Sequence, residues 1–147
     1  MTEVLVKIVN NSGRELPAYA TAGAAGMDVR ANLTEPLSLQ PLERIAVPTG
    51  LFVEIPAGYE IQVRPRSGLA LKQGITCLNT PGTIDSDYRG EIKVILVNLS
   101  NSPQVITPGD RIAQLVLKQV AKLTWLPQDE LTPTERGSCG FGHTGLH

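Results

Sequence analysis

Glycine and proline leave this chain few architectures. Fourteen glycines and eleven prolines are spread along 147 residues, so a chain-breaking or turn-forming residue recurs roughly every six positions, too often for long helices. Between these breaks the apolar residues mostly alternate with polar ones. Tyr59, Ile61 and Val63 alternate with Glu60, Gln62 and Arg64; Val4, Val6 and Ile8 start a similar run. Ile45-Ala46-Val47 and Leu51-Phe52-Val53-Glu54-Ile55 read as two more strands. A period of two places one set of side chains on a core face and the other on a solvent face. Glu91 to Val97 and Arg111 to Leu117 are apolar enough to be buried strands. Pro56-Ala57-Gly58 and Pro108-Gly109-Asp110 mark turns. Many short strands without a helical period predict an all-β jelly roll, barrel or sandwich.

One segment departs from this pattern. Ser67-Gly68-Leu69-Ala70-Leu71-Lys72-Gln73-Gly74 offers Ser67 as an N-cap, then helix formers, then a terminating glycine, and predicts one short helix. The length suits a single domain. Residues 1–127 read as the β core, and 128–147, rich in glycine, proline and polar residues, as a C-terminal arm that stays mobile until something orders it.

Charge and cysteine usage exclude several classes. Thirteen Lys and Arg against fourteen Asp and Glu give a formal charge of -1, without the basic excess a nucleic-acid binder uses to displace counterions. Cys77 and Cys139 follow no metal-ligand spacing, and Met1 to Val4 carry none of the basic and apolar regions of a leader. No apolar run approaches the roughly 20 residues that span a bilayer. The expectation is a soluble cytoplasmic protein with free thiols and no nucleic-acid or membrane partner.

Chemistry concentrates in five segments. Gly82-Thr83-Ile84-Asp85-Ser86-Asp87-Tyr88-Arg89-Gly90 sets two carboxylates, a tyrosine and an arginine between turn-forming glycines. With Asn79-Thr80-Pro81 before it and the apolar run from Glu91 after it, it predicts a hairpin anchored to a sheet. Arg64-Pro65-Arg66-Ser67-Gly68 puts two arginines at the start of the helix, where free amides favour an anion; the alternative is an ordinary cap with solvated arginines. Arg136-Gly137-Ser138-Cys139-Gly140-Phe141-Gly142-His143-Thr144-Gly145 combines a permissive backbone with one cation and one aromatic ring, suited to phosphate oxygens and a stacked base, or else a plain disordered tail. Asp28, among small and apolar residues, serves either a structural bridge to an arginine or the site. Gln114, inside an apolar strand, needs a hydrogen-bond partner if buried, whether in the core or on a ligand. His143 and His147 are the two histidines, which leaves a histidine triad or zinc site poorly supported. A nucleophilic Cys139 would have His143 alone as a base.

Taken in order, these segments resemble the five motifs of the homotrimeric deoxyuridine triphosphatase (dUTP diphosphatase) family. They run from Ala24 to Arg30, Pro65 to Ala70, Gly82 to Gly90, Gly109 to Gln114 and Arg136 to Gly145. The resemblance implies a jelly-roll subunit in a homotrimer whose three sites each draw on all three chains. It implies that Asp85 orients and deprotonates the water that attacks the α-phosphorus of dUTP, releasing dUMP and pyrophosphate. Mg2+ bound to the triphosphate would neutralise charge, with Asp28 supporting its water shell. Tyr88 would pack on the deoxyribose and exclude a 2′-hydroxyl, and the Asn79 segment would read uracil. Arg66, Ser67 and Gly68 would contact phosphate, Gln114 a phosphate or water, Arg136 the γ-phosphate, and Phe141 would stack on uracil. Carboxylates are weak bases at neutral pH, so positioning and electrostatics would supply most of the rate.

Two positions depart from the family pattern: Cys139 stands where glycine is usual and His143 where serine is common. The expected activity limits uracil in DNA and supplies dUMP for thymidylate synthesis. The alternatives are a dCTP deaminase of the same fold, which would need a glutamate base near the pyrimidine, and a non-catalytic nucleotide-sensing trimer.

Overall fold

A computed structural model of the chain describes residues 2–142, 144 and 145. Ten strands and one α-helix are present among them, in the order β1 (Lys7–Asn10), β2 (Met27–Arg30), β3 (Leu37–Leu39), β4 (Arg44–Glu54), β5 (Tyr59–Arg64), α1 (Ser67–Gln73), β6 (Ile75–Cys77), β7 (Gly82–Ile84), β8 (Glu91–Asn98), β9 (Gln104–Ile106) and β10 (Arg111–Gln119). All pairings are antiparallel. One four-stranded sheet runs β1-β4-β8-β6, a second runs β2-β10-β5-β7, and β3 pairs with β9.

The mostly-β reading holds, and alternation explains it. In β5, Ile61 and Val63 are buried while Glu60, Gln62 and Arg64 lie between them; in β8, Ile92, Val94 and Leu96 are fully buried. Together with Val47, Leu51 and Val53 of β4, Val29 of β2, Ile112 and Ala113 of β10, and Leu39 and Ile106 of the small ribbon, they form one core cluster shared by all three sheets. Burying each such side chain is worth about 1.5–3 kcal/mol.

Four expectations shift. The two strands expected at 45–47 and 51–55 are one, β4, bent by a register break between Pro48 and Phe52; Thr49 faces inward there because its hydroxyl finds partners. The first strand begins at Lys7 and not at Val4, as an edge strand paired with β4 alone. Helix α1 forms where expected, but its N-cap is Arg66, without a side-chain cap bond, and Ser67 is already helical. Gly74 ends it as expected, at φ 65°, where a Cβ would also lie 2.9 Å from the Ser100 nitrogen. Lastly, β7 and β8 are not a hairpin. β7 pairs with β5 in one sheet and β8 with β4 and β6 in the other, so the turn over residues 85–90 crosses between sheets, as does the 78–81 connection preceding β7.

Gln119 ends β10, and Val120 is the last residue to contact the core through its amide, which donates to the Gly58 carbonyl. From residue 121 onward every described residue is exposed, seven residues ahead of Gln128. His143, whose departure from the family pattern was noted, lies outside the described residues, as do Met1, Leu146 and His147.

Candidate active site

The inter-sheet turn presents Asp85 at the surface, immediately after buried Ile84. Its carbonyl accepts the Tyr88 amide at 3.2 Å, closing the turn. The Arg89 guanidinium donates through Nη1 to the Ser86 carbonyl at 2.7 Å and the Tyr88 carbonyl at 3.0 Å, bracing the loop from its own end. The Tyr88 hydroxyl donates to the Glu91 carbonyl at 2.9 Å, and its ring lies over Gly90, where any Cβ would overlap it. The glycine is therefore required by close approach rather than by an unusual φ. Asn79, Asp85 and Tyr88 line one cavity of about 360 Å³, with Gly82, Glu91 and the apolar Val63 and Ile95 among its walls. These bonds brace the turn, and the Asp85 carboxylate has no hydrogen-bond partner among the described residues.

A second group centres on Asp28. Asp28 of β2 pairs in register with Gln114 of β10, and Gln114 pairs on its other side with Arg64 of β5. Arg66 leaves β5 toward α1 and reaches back: its Nε donates to Asp28 Oδ1 at 3.1 Å and its Nη1 to the Arg111 carbonyl at 3.2 Å. Gln114 Nε2 donates to the same Oδ1 at 3.2 Å, and Arg111 Nε lies 3.8 Å from Oδ2. Asp28 is in a bridge to an arginine, and the partner Gln114 needs is that aspartate. Asp28 and Gln114 also line a cavity of about 700 Å³ with Arg14, Arg30 and Arg111, so cations outnumber carboxylates around it and an anion is favoured there. The two cavities share no lining residue.

The remaining predicted residues stand apart from both cavities. Ser67 and Gly68 are exposed in the first turn of α1, where amides have no intrahelical acceptor. Arg136 and Phe141 lie in the exposed C-terminal segment; Arg136 Nε donates to the Cys139 carbonyl at 2.8 Å, and Phe141 is wholly exposed. Within one chain, then, the ten predicted residues fall into separate groups on the cavity at Asp85, around Asp28, on α1 and on the C-terminal segment.

A dUTPase family model matches residues 13–145. The chain belongs to the dUTPase family. It is 62% identical over 145 residues to a protein of Fusobacterium nucleatum named deoxyuridine 5′-triphosphate nucleotidohydrolase, covering 99% of both chains. It is also 62% identical over 136 residues to a Chlamydia pneumoniae protein of the same name, covering 92% of this chain and 94% of that one. Among solved structures, it resembles the G164S mutant of the Staphylococcus bacteriophage 80alpha dUTPase with dUpNHpp, with a TM-score of 0.78 at 24% identity over 99% of this chain and all of the other. That likeness shows the shared fold.

Two participants escaped the sequence reading. Arg111 and Glu91 read as ordinary charged residues at strand starts, and only strand pairing within each sheet brings Arg111 to Asp28 and Glu91 to β4. A metal cage is absent: no three His, Cys, Asp or Glu side chains converge among the described residues. Asp28 Oδ1 is already shared by two donors, which leaves Oδ2 as the freer oxygen. These residues do not fit a resident divalent ion held by the protein alone, which suits a cation that prefers phosphate oxygens and its own waters.

Proposed function

We propose that this dUTPase family member hydrolyses dUTP to dUMP and pyrophosphate, its substrate being the magnesium complex of the nucleotide. The observation that carries the reading is the cavity at the inter-sheet turn, which brings Asn79, a braced Tyr88 and an unencumbered Asp85 to one space of about 360 Å³. Uracil enters beside Asn79 and the deoxyribose packs on Tyr88, where a 2′-hydroxyl has no room. Asp85 accepts a proton from a water as that water attacks the α-phosphorus. The bond from the α-phosphorus to the bridging oxygen breaks, pyrophosphate leaves with the electron pair, and Asp85 returns the proton to solvent. Holding the water in line is worth more here than base strength.

Arg66, Ser67, Gly68 and Gln114 supply phosphate-side contacts, with Asp28 orienting Arg66 and offering Oδ2 to a water of the incoming magnesium. Arg136 takes the γ-phosphate and Phe141 covers the base when the segment from 128 onward closes and excludes water. Their separation within one chain supports a jelly-roll homotrimer whose sites combine these groups from more than one subunit. The cellular role that follows is to keep uracil out of DNA and to supply dUMP for thymidylate synthesis, in the cytoplasm.

Pyrophosphate release with magnesium, compared across dUTP, UTP, dCTP and dTTP, tests the reading. Turnover of dUTP far above the other three is expected. Ammonia release from dCTP, or tight dUTP binding without turnover, would overturn it.

A further inference from the structure

Glu91 begins β8 directly after the turn that carries Asp85 and Tyr88. Opposite it the ladder is broken: Pro48 of β4 pairs with Lys93 and Phe52 with Glu91, so residues 49–51 face Ile92 alone. Side chains replace the missing ladder bonds. Thr49 Oγ1 donates to the Ile92 carbonyl at 2.6 Å and accepts the Leu51 amide at 3.2 Å, while the Gly50 amide donates to Glu91 Oε1 at 3.0 Å. Gly50 is itself immobilised. It sits at φ 71°, its carbonyl accepts the Asn11 amide at 2.8 Å, and a Cβ would come within 2.9 Å of Ser12 and Asn32 atoms.

Glu91 therefore holds two things at once. Its carboxylate grips a fixed point on β4, and its carbonyl receives the Tyr88 hydroxyl at 2.9 Å. We infer that Glu91 is a positioning residue for Tyr88: its side chain fixes the backbone on which the tyrosine hydroxyl rests, and so sets how strictly the site rejects a ribonucleotide. The inference rests on the function proposed above, in which Tyr88 packs against the sugar. The carboxylate acts as a hydrogen-bond acceptor here, so an uncharged oxygen at the same reach does the same work.

The test compares kcat/KM for dUTP and for UTP in the wild type, Glu91→Ala and Glu91→Gln, with thermal melting of each. The dUTP preference is expected to fall about tenfold in Glu91→Ala, as for a misplaced positioning group, and to stay within about twofold in Glu91→Gln. Ile106→Val, a core change in the β3–β9 ribbon, controls for lost stability and should leave the preference alone. Should Glu91→Ala fail to fold, Glu91→Asp keeps the charge but not the reach and should lose preference in the same direction. A wild-type enzyme without dUTP preference would sink the functional reading and this inference with it. Preference in the wild type that survives in Glu91→Ala, or is lost equally in Glu91→Gln, overturns the inference alone.

Discussion

Replacing Asp85 by asparagine separates chemistry from architecture. The Asp85 side chain is exposed and makes no hydrogen bond or ion pair among the described residues; only its carbonyl is used, by the Tyr88 amide. Asparagine keeps that carbonyl and nearly the same shape. Stability should therefore change by no more than about 0.5 kcal/mol, which is within about 2 °C of melting temperature for a domain of this size. Turnover should behave very differently. Loss of a general base costs about 10²–10⁴ in rate, equivalent to about 3–5 kcal/mol of barrier. Binding should hold or tighten, because a negative charge facing a polyanion has been removed. Pyrophosphate release at saturating magnesium dUTP, a dUTP titration and melting at matched protein concentration measure the three quantities. Turnover within about threefold of the parent would remove Asp85 from its role, and a melting temperature lowered by more than about 5 °C would show that the carboxylate holds the turn.

Deleting the chain from Arg136 onward should cut turnover by at least about 100-fold, the scale of lost positioning contacts, while shifting melting by less than about 3 °C; its described hydrogen bonds reach no farther back than exposed Thr134. An elution volume on gel filtration that departs from the full-length protein's, or aggregation, would contradict this. Thr49→Val removes the donor to the Ile92 carbonyl and the acceptor of the Leu51 amide without opening a cavity. It should cost about 2–4 kcal/mol by urea unfolding, with Thr49→Ser close to wild type. Burial pushes the Cys77 thiol up to about 11 from 9.0. The folded pKa is the higher one, so the stability tied to this thiol is fully present below about pH 9 and is lost as pH rises toward 11, by up to about 2–3 kcal/mol. The pH dependence of unfolding should be correspondingly flatter in Cys77→Ala across that window, and a thiol reagent should label exposed Cys139 well before Cys77.

Local pattern was enough for much of this protein. Alternation of period two located β5, and near-continuous apolar runs located β8 and β10, because a strand's buried face must be apolar whatever it pairs with. Gly74 was legible as a helix end because its left-handed φ is a local requirement. The five motif segments were legible as residue types, and they identify the family. Partnership was not legible. The supposed hairpin at 82–97 is an inter-sheet crossing, since a strand's partner is chosen by which apolar faces meet across the core and leaves no mark in the strand itself. The same holds for β4, where 45–47 and 51–55 read as two strands, and the side chains of Thr49 and Glu91 carry the ladder across the gap. Arg66 on Asp28, Gln114 beside it, and Glu91 between Tyr88 and Gly50 all join residues distant in the chain, so the sequence supplied the chemical groups and the tertiary structure alone decided which of them touch.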